Sequence, residues 1–283
     1  MKRMGSDGTG SAKTRSEAAS AHFEDLAAPM SELIGFLLSE RPESAQAAIP
    51  ESRSEQWALL RALMNMRQPA PLPASVLALQ DAVLQELRER RGTVDAEAIA
   101  RLPNNPRLAL WQGDITALRI EAIVNAANSK LLGCFVPNHR CIDNAIHTFS
   151  GMQLRLACDK IMRARGCDEP TGTATVTPAF NLPAEHVIHT VGPIVADRPA
   201  AQHRASLASC YTACLEAASE RGIRSIAFCC VSTGEFRFPH SAAAEIAVRT
   251  VSDFLRNDTV VETVVFDVFS NEDRTAYERL LLE

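Results

Sequence analysis

Ala122-Ile-Val-Asn-Ala-Ala-Asn128 decides the fold class of this chain, because it joins an apolar run to a turn of small and amide residues. The apolar run is typical of a buried β-strand bounded by turn residues. Asn125 and Asn128 favour a turn at its carboxyl end, since short amide side chains bond to the local backbone. In open α/β sheets, ligands bind beyond the carboxyl ends of the strands. We therefore predict a sheet strand whose end borders a ligand site.

The same alternation of strand and helix continues along the rest of the chain. Strand-like runs occur at 108–111, 122–125, 173–177, 186–189, 225–229 and 263–267. Helical runs fill the gaps at 143–164, 204–221, 241–256 and 271–282. Six strands with intervening helices predict an α/β fold, a three-layer α/β/α domain with a mixed, mostly parallel six-stranded sheet. We assign this domain to residues 104–283.

The preceding residues, 21–103, predict a small helical accessory domain. Apolar residues recur at helical spacing, as in Leu33, Ile34, Leu37 and Leu38. Helices are expected from residue 22 onward, at 55–66 and at 75–91, and a short last helix is expected to open at 93–97. Residues 1–20 are rich in Ser, Gly and Ala and have no apolar segment, so they predict a disordered tail.

Composition restricts the classes of function. No apolar run approaches the ~20 residues that a membrane helix needs, so membrane insertion is not expected. The net charge of −5 provides no general attraction for a polyanion, so nucleic acid is not an expected partner. Eight irregularly spaced cysteines without a signal peptide favour a reducing compartment. We therefore expect a cytoplasmic protein.

A cluster of metal-ligand residues follows the Asn turn, in Cys134-Phe-Val-Pro-Asn-His139-Arg-Cys141. Thiolate and imidazole are ligands that zinc prefers, and Pro137 disfavours a helix, so the three side chains can converge in a loop. A structural zinc site closes with four protein ligands, whereas a catalytic site leaves one position open. Asp143 and His147 are nearby candidates for a fourth ligand. The alternative is two cysteines that pack as small apolar residues and a surface histidine.

Five motifs in this order resemble the macrodomain family, which binds ADP-ribose. They are Trp111-Gln-Gly-Asp-Ile-Thr116, Asn125-Ala-Ala-Asn128, Asp143-Asn-Ala-Ile-His147, His186-Val-Ile-His-Thr-Val-Gly-Pro193 and Ser232-Thr-Gly-Glu-Phe-Arg-Phe-Pro239. The resemblance covers about residues 104–270. The cysteine and histidine segment is similar to that of the zinc-containing subgroup of microbial protein-ADP-ribose hydrolases, which also carries an N-terminal helical extension.

This resemblance implies roles for the residues at the two ends of the ligand. Asp114 would accept a hydrogen bond from the adenine amine, with the Ile115 backbone beside it. Asn125, Asn128 and Asp143 would lie near the distal ribose as the catalytic group, with Zn²⁺ on Cys134, His139 and Cys141. Without a ligand, the two asparagines would be turn formers and Asp143 would be a helix N-cap.

The pyrophosphate between these ends would be held by two loops. The resemblance implies binding by Ser232, Thr233, Gly234, Glu235 and Phe236, with Gly133 on the opposite side. Phe236 would pack on the distal ribose, or would be a core aromatic in the absence of a ligand. Arg237 departs from the small residue often found at its position. The remaining histidines of these motifs, His147, His186 and His189, are interpreted as structural. The other cysteines are interpreted as core or incidental positions: Cys158, Cys167, Cys210, Cys214, Cys229 and Cys230.

Together these features predict a zinc-dependent hydrolase that binds ADP-ribose and removes mono-ADP-ribose from protein side chains, with Asp and Glu esters as the substrates. Two alternatives remain, a non-catalytic ADP-ribose reader and an O-acetyl-ADP-ribose deacetylase, because fold alone does not decide function. The partner implied by the resemblance is a mono-ADP-ribosylated protein, in particular a lipoyl-carrier protein. We expect the chain to be a monomer.

Overall fold

The structure, a computed structural model, describes residues 26–41, 43 and 47–282. The predicted tail at 1–20 and the first residues of the predicted helical region lie outside the described residues. In none of the described ranges is a helix both long and apolar enough to cross a membrane.

Among the described residues before position 92 there are three helices: α1 (Ala27–Ser39), α2 (Arg53–Met66) and α3 (Ala74–Arg91). Helix α2 begins after Ser52, whose hydroxyl accepts a hydrogen bond from the Glu55 backbone N–H at 3.4 Å. The Glu55 carboxylate in return accepts a hydrogen bond from the Ser52 hydroxyl at 2.5 Å. The three helices share an apolar core that includes Leu33, Leu60 and Val83, each with no exposed surface.

The short helix expected at 93–97 is wrong. Val94–Asp95 forms a two-residue strand, β1, which pairs in parallel with β4 (Leu118–Arg119). A single 3₁₀ turn, Ala96–Ala98, follows it, capped by the Asp95 carboxylate, which accepts from the Glu97 N–H at 3.0 Å. The β-branched Val94 and the strand pairing explain the extended backbone, which local propensity did not reveal.

The main sheet has seven strands rather than the predicted six. The predicted runs correspond to β3 (Asn105–Gln112), β5 (Ala122–Ala126), β6 (Ala174–Pro178), β7 (His186–Thr190), β8 (Ser225–Phe228) and β9 (Thr263–Val268). The added strand is β2 (Arg101–Leu102), which is too short to give a periodic signal and exists through its pairing with β3. The spatial order is β2-β3-β9-β8-β5-β7-β6, and only the two edge strands are antiparallel to their neighbours. The sheet is therefore mixed and mostly parallel, as predicted.

Five helices surround the sheet: α4 (Ile142–Ser150), α5 (Met152–Arg165), α6 (Ala201–Ser219), α7 (His240–Leu255) and α8 (Asn271–Leu282). The single helix predicted at 143–164 is wrong, because Gly151 separates α4 from α5 at φ +96°. Residues with a Cβ rarely adopt this φ, so glycine is favoured at this position.

The N-terminal helices are joined to the α/β part through buried polar contacts. The Gln80 amide oxygen accepts a hydrogen bond from the Met152 N–H at 2.7 Å, and the Asn181 amide donates to Asp81 at 2.7 Å. Ala96 and Leu102, which precede the predicted boundary at residue 104, pack into the core of the sheet. The helical part is thus anchored beside α4 and α5, the helices that follow the Asn turn.

Candidate functional site

One cavity of about 970 Å³ lies at the edge where the parallel strands β3, β5, β8 and β9 end. This is the position at which α/β sheets bind ligands, and the volume suits a nucleotide-sized molecule. The cavity is lined by almost all the predicted site residues: Asp114, Ile115, Asn128, Gly133, Cys134, His139, Cys141, Asp143, Ser232, Thr233, Gly234, Glu235 and Phe236. Asn125 is fully buried beneath the cavity and does not line it.

Cys134, His139 and Cys141 bring their ligand atoms within 4.8 Å of one another. His139 Nδ1 lies 3.5 Å from Cys134 Sγ, and its Nε2 lies 3.5 Å from a Glu235 carboxylate oxygen. Ligand atoms on one tetrahedral zinc are about 3.3–3.8 Å apart, given bonds of about 2.0–2.3 Å. The donor set therefore fits zinc after a small adjustment, and Glu235 is placed to orient the imidazole as metal-bound histidines require.

The loop that carries these residues is held from both sides. On its carboxyl side it leads into α4, where the Cys141 sulfur accepts a hydrogen bond from the Asn144 N–H at 3.4 Å as the helix N-cap. On the outside, Arg61 of α2 donates to the His139 carbonyl at 3.0 Å, and Asn65 accepts from the Asn138 N–H at 3.0 Å. The N-terminal helices thus form one wall of the metal-ligand loop.

Burial controls the charge of the cysteines in the loop. It raises the pKa of the Cys141 thiol to about 12, and the neighbouring Cys134 adds to the rise. Without positive charge nearby, the Cys141 thiol therefore stays protonated and is a poor nucleophile. A divalent metal would have to displace this proton in order to bind the sulfur.

The cluster of three contains neither Asp143 nor His147, so within the described part of the chain no fourth ligand completes it. His147 instead lies with Cys158 and His189 in a separate buried group. His189 is already satisfied there, since Nδ1 is 3.1 Å from the Asn125 amide nitrogen and Nε2 is 2.9 Å from the Thr177 hydroxyl. Burial lowers the pKa of His189 to about 3, so the ring is neutral. We therefore regard this second group as part of the packing.

Asp143 is a buried carboxylate at the floor of the cavity, inside the first turn of α4. The alternative in which it caps the helix is wrong, because Cys141 occupies the N-cap position. Its two oxygens accept hydrogen bonds from the amide of Asn125 at 2.8 Å and from the amide of Asn128 at 3.2 Å. Burial raises the pKa of Asp143 to about 6, although these amides oppose the rise. Asn125, which does not line the cavity, is connected to it through this bond to Asp143.

Asp114 lies further along the sheet edge, because it follows β3, and β9 and β8 separate β3 from β5. It caps the 3₁₀ turn Ile115–Ala117. Its Oδ1 accepts from the Thr116 N–H at 3.0 Å and from the Thr116 hydroxyl at 2.6 Å. Its Oδ2 accepts from the guanidinium of Arg91, the last residue of α3. Asp114 is 45% exposed, so the carboxylate also faces the cavity.

The loop after β8 forms the side of the cavity between these ends. Ser232 has φ +68° and Arg237 has φ +57°, and the Phe238 N–H donates to the Ser232 carbonyl at 2.9 Å. The positive φ of Arg237 explains why a small residue suits that position. Gly192 also lines the cavity, and a Cβ there would lie 1.9 Å from Ser232 Oγ. The loop therefore approaches Gly192 closely. Gly192 belongs to the motif at 186–193, but the sequence alone did not assign it to the cavity.

Other cavity residues were not predicted. Arg61 and Arg91 come from the N-terminal helices, and long-range packing alone brings them here. Phe269 lines the cavity with 83% of its surface exposed, and Asp267 lies just before it at the end of β9. An aromatic directly after a strand was a signal that could have identified Phe269. Cys229 and Cys230 also line the cavity, unlike the other cysteines interpreted as core or incidental positions.

This fold and cavity define a class of nucleotide-binding α/β proteins, and the chain belongs to the macro domain family. A family model described as Macro domain matches residues 124–247. A protein from Treponema medium named Protein-ADP-ribose hydrolase is 47% identical over 251 residues, covering 88% of this chain and 96% of the relative. A Staphylococcus aureus protein with the same name is 44% identical over 247 residues, covering 87% and 92%.

Solved structures give the same family. A mutant Oceanobacillus iheyensis macrodomain with ADPR has a TM-score of 0.58 and 35% identity, over 65% of this chain and 96% of that one. A Trypanosoma brucei macrodomain in complex with ADP-ribose has a TM-score of 0.61 and 28% identity, over 82% and 96%. Because residues 104–283 number only 180, the Treponema alignment over 251 residues extends into the N-terminal helices.

Proposed function

We propose that this protein is a zinc-dependent hydrolase that removes mono-ADP-ribose from Asp and Glu esters of modified proteins. The observation that carries the proposal is the common cavity, which is lined by the Cys134, His139 and Cys141 group, by Asp143 and by Asp114. Asp114 follows β3, and β9 and β8 lie between β3 and β5, whose end carries the asparagines that contact Asp143. ADP-ribose is a ligand with adenine at one end and the scissile ribose at the other. It therefore spans the two ends of the cavity.

The chain is an enzyme, a protein-ADP-ribose hydrolase. Relatives of that name are 43–47% identical to it over most of their length and most of this chain. The finer parts of the proposal concern zinc and the ester linkage. The zinc part is supported by the thiol and imidazole donor set and by the absence of a fourth ligand for it among the residues that the structure describes.

The residues of the chain divide the work between binding and orientation. Asp114 accepts the adenine amine in a charge-assisted hydrogen bond, beside the Ile115 backbone. Backbone N–H groups of the Ser232–Phe236 segment and of Gly133 lie on the two sides of the pyrophosphate. Gly133 at φ +77° packs against the His147 ring, so a side chain there would clash. Phe236 packs on the distal ribose.

Asp143 is the group that contacts the distal ribose or a water beside the scissile bond. Asn125 and Asn128 hold its two oxygens, so the orientation of the carboxylate is set before substrate binds. Asn128 also donates to the Gly133 carbonyl at 3.1 Å, which connects the ribose end to the pyrophosphate turn. When bound at Cys134, His139 and Cys141, zinc supplies a Lewis acid for a ribose oxygen or the ester carbonyl, or lowers the pKa of a water.

Two other functions use the same cavity. A reader would hold ADP-ribose or a modified protein without cleavage, and zinc would only shape the loop. An O-acetyl-ADP-ribose deacetylase would cleave a small ester at the same ribose. The three-residue donor set favours catalysis over reading, because an open coordination position has no use in a pure binding module.

Release of ADP-ribose from a carrier protein modified on Asp or Glu tests the proposal. We expect the purified protein to release it, a chelator to stop release, and added Zn²⁺ to restore it. Cys141→Ser should remove both zinc and activity, whereas Cys167→Ser, at an exposed cysteine outside the cavity, should change neither. Binding of ADP-ribose without turnover by the zinc-loaded protein would establish the reader. Cleavage of the O-acetyl ester alone would establish the deacetylase.

The modified partner is proposed to be a lipoyl-carrier protein, on the resemblance described above. We also propose a cytoplasmic monomer in which residues 21–103 form a helical accessory domain. Gel filtration with light scattering measures the oligomeric state, and parallel assays with lipoylated and unlipoylated carriers measure the preference.

A further inference from the structure

Arg91 belongs to the N-terminal helices but lines the end of the cavity that holds Asp114. Its Nη2 group donates hydrogen bonds to Asp114 Oδ2 and to the Thr116 hydroxyl, the latter at 2.9 Å. The guanidinium carbon lies 3.7 Å from the centroid of the Phe149 ring, which also borders the cavity. Arg91 is therefore held by an ion pair, a hydroxyl and an aromatic face.

These contacts define how Asp114 can meet a ligand. Thr116 engages Oδ1 and Arg91 engages Oδ2. A carboxylate has about four acceptor positions, so one remains for a ligand amine even with these bonds in place. The Arg91 contact also restricts the rotation of the carboxylate. An amine of a ligand in the cavity is therefore directed to the one remaining acceptor position of the Asp114 carboxylate.

The shape of the guanidinium supplies a second contact. It is planar and lies over the Phe149 ring. The Arg91 side chain is still 28% exposed where it lines the cavity, so it can accept a flat partner there. Guanidinium groups stack on nucleobases through this face. Phe269, which is 83% exposed, lines the same cavity and offers a further flat surface. A purine with an exocyclic amine matches this combination of a carboxylate and stacking planes.

We propose that Arg91 is a base-specificity residue, which orients Asp114 and stacks on the adenine of ADP-ribose bound in the cavity. This inference rests on the proposed function, which places adenine at Asp114. It makes the N-terminal helices a direct part of nucleotide recognition. A role in stability alone is disfavoured, because ion pairs between side chains 28% and 45% exposed contribute little to folding.

The test compares Arg91→Gln and Arg91→Lys with Arg88→Gln in titration calorimetry. Arg88 is a matched control, since it lies on the same helix and donates to the Asn181 carbonyl at 3.3 Å but does not line the cavity. The ligands are ADP-ribose, AMP and ribose 5-phosphate, which has no base. We expect Arg91→Gln to raise the dissociation constants of ADP-ribose and AMP about tenfold, which corresponds to the loss of one stacking contact. The affinity of Arg91→Lys should lie between those of the wild type and Arg91→Gln, because lysine keeps the charge but has no planar group to stack.

Each outcome bears on the inference. Unchanged binding of ribose 5-phosphate by Arg91→Gln, with Arg88→Gln equal to the wild type, supports a role at the base. Equal weakening of all three ligands overturns it, because it shows a general electrostatic effect. Binding of ADP-ribose by Arg91→Gln within twofold of the wild type also overturns it and leaves the hydrolase proposal intact. A wild-type protein that does not bind ADP-ribose overturns both proposals.

Discussion

Replacing Arg61 with glutamine should weaken zinc binding without unfolding the protein. Arg61 lies in α2, outside the cluster of metal-ligand residues. It donates to the His139 carbonyl at 3.0 Å and to the Asn144 amide oxygen at 2.7 and 3.2 Å. Asn144 in turn donates to the Val136 carbonyl at 3.0 Å. The guanidinium therefore holds the loop both directly and through Asn144.

The size of the effect follows from these contacts. Glutamine is shorter and uncharged, and it retains at most one of the three hydrogen bonds. Groups that support metal ligands from behind typically change metal affinity about 10–100-fold when they are removed. We therefore expect the zinc dissociation constant to rise about 10–100-fold, which is about 1.4–2.8 kcal/mol. The same variant should lose activity at limiting zinc and regain most of it at saturating zinc.

Competition with a chromogenic chelator measures this change directly, and metal analysis after gel filtration checks the stoichiometry. Arg88→Gln is the control, since it removes an arginine bond to a carbonyl at another contact of the helices with the α/β part. A zinc affinity of Arg61→Gln within threefold of the wild type would show that α2 does not support the metal loop. A matching loss in Arg88→Gln would point to general destabilisation.

Three further changes test the packing around the site. Arg155→Met removes the guanidinium that donates to the carbonyls of Leu132, Met64 and Asn65 at 2.6, 3.0 and 2.9 Å. The free energy of unfolding, measured by urea titration, should fall by about 3–5 kcal/mol. A loss below about 1 kcal/mol would show that these bonds do not hold the helices to the α/β part. His189 is buried and neutral with a pKa of about 3, so protons bind the unfolded chain preferentially below its ordinary pKa of about 6.5. The free energy of unfolding should therefore fall by about 2 kcal/mol between pH 7 and pH 5 because of this group. Denaturation curves measured at the two pH values should show a correspondingly smaller fall for His189→Gln. Gly192→Ala should displace the loop at Ser232, because the added Cβ meets Ser232 Oγ. Calorimetry should then show weaker ADP-ribose binding, with little change in melting temperature. An unchanged affinity for ADP-ribose would show that the loop is free to move.

Local sequence determined much of the fold and the residues of the candidate metal site. Each of the six longer strands carries a run of apolar or β-branched residues, and such runs are readable without a partner strand. Cys134, His139 and Cys141 lie within eight residues, so a loop is enough to bring their ligand atoms together. The order of the motifs along the chain was sufficient to indicate the macro domain family.

Contacts between distant segments decided the rest. Strand β2 has only two residues and depends on its pairing with β3. Gln80, from another helix, accepts a hydrogen bond from the N–H of Met152, where α5 begins. Arg61 and Arg91 reach the cavity only because the N-terminal helices pack beside α4, 50 or more residues away in sequence. Amphipathic helices show in sequence which face is apolar, but not which partner covers it. The charged residues that complete this site were therefore visible only after the helices had docked on the sheet domain.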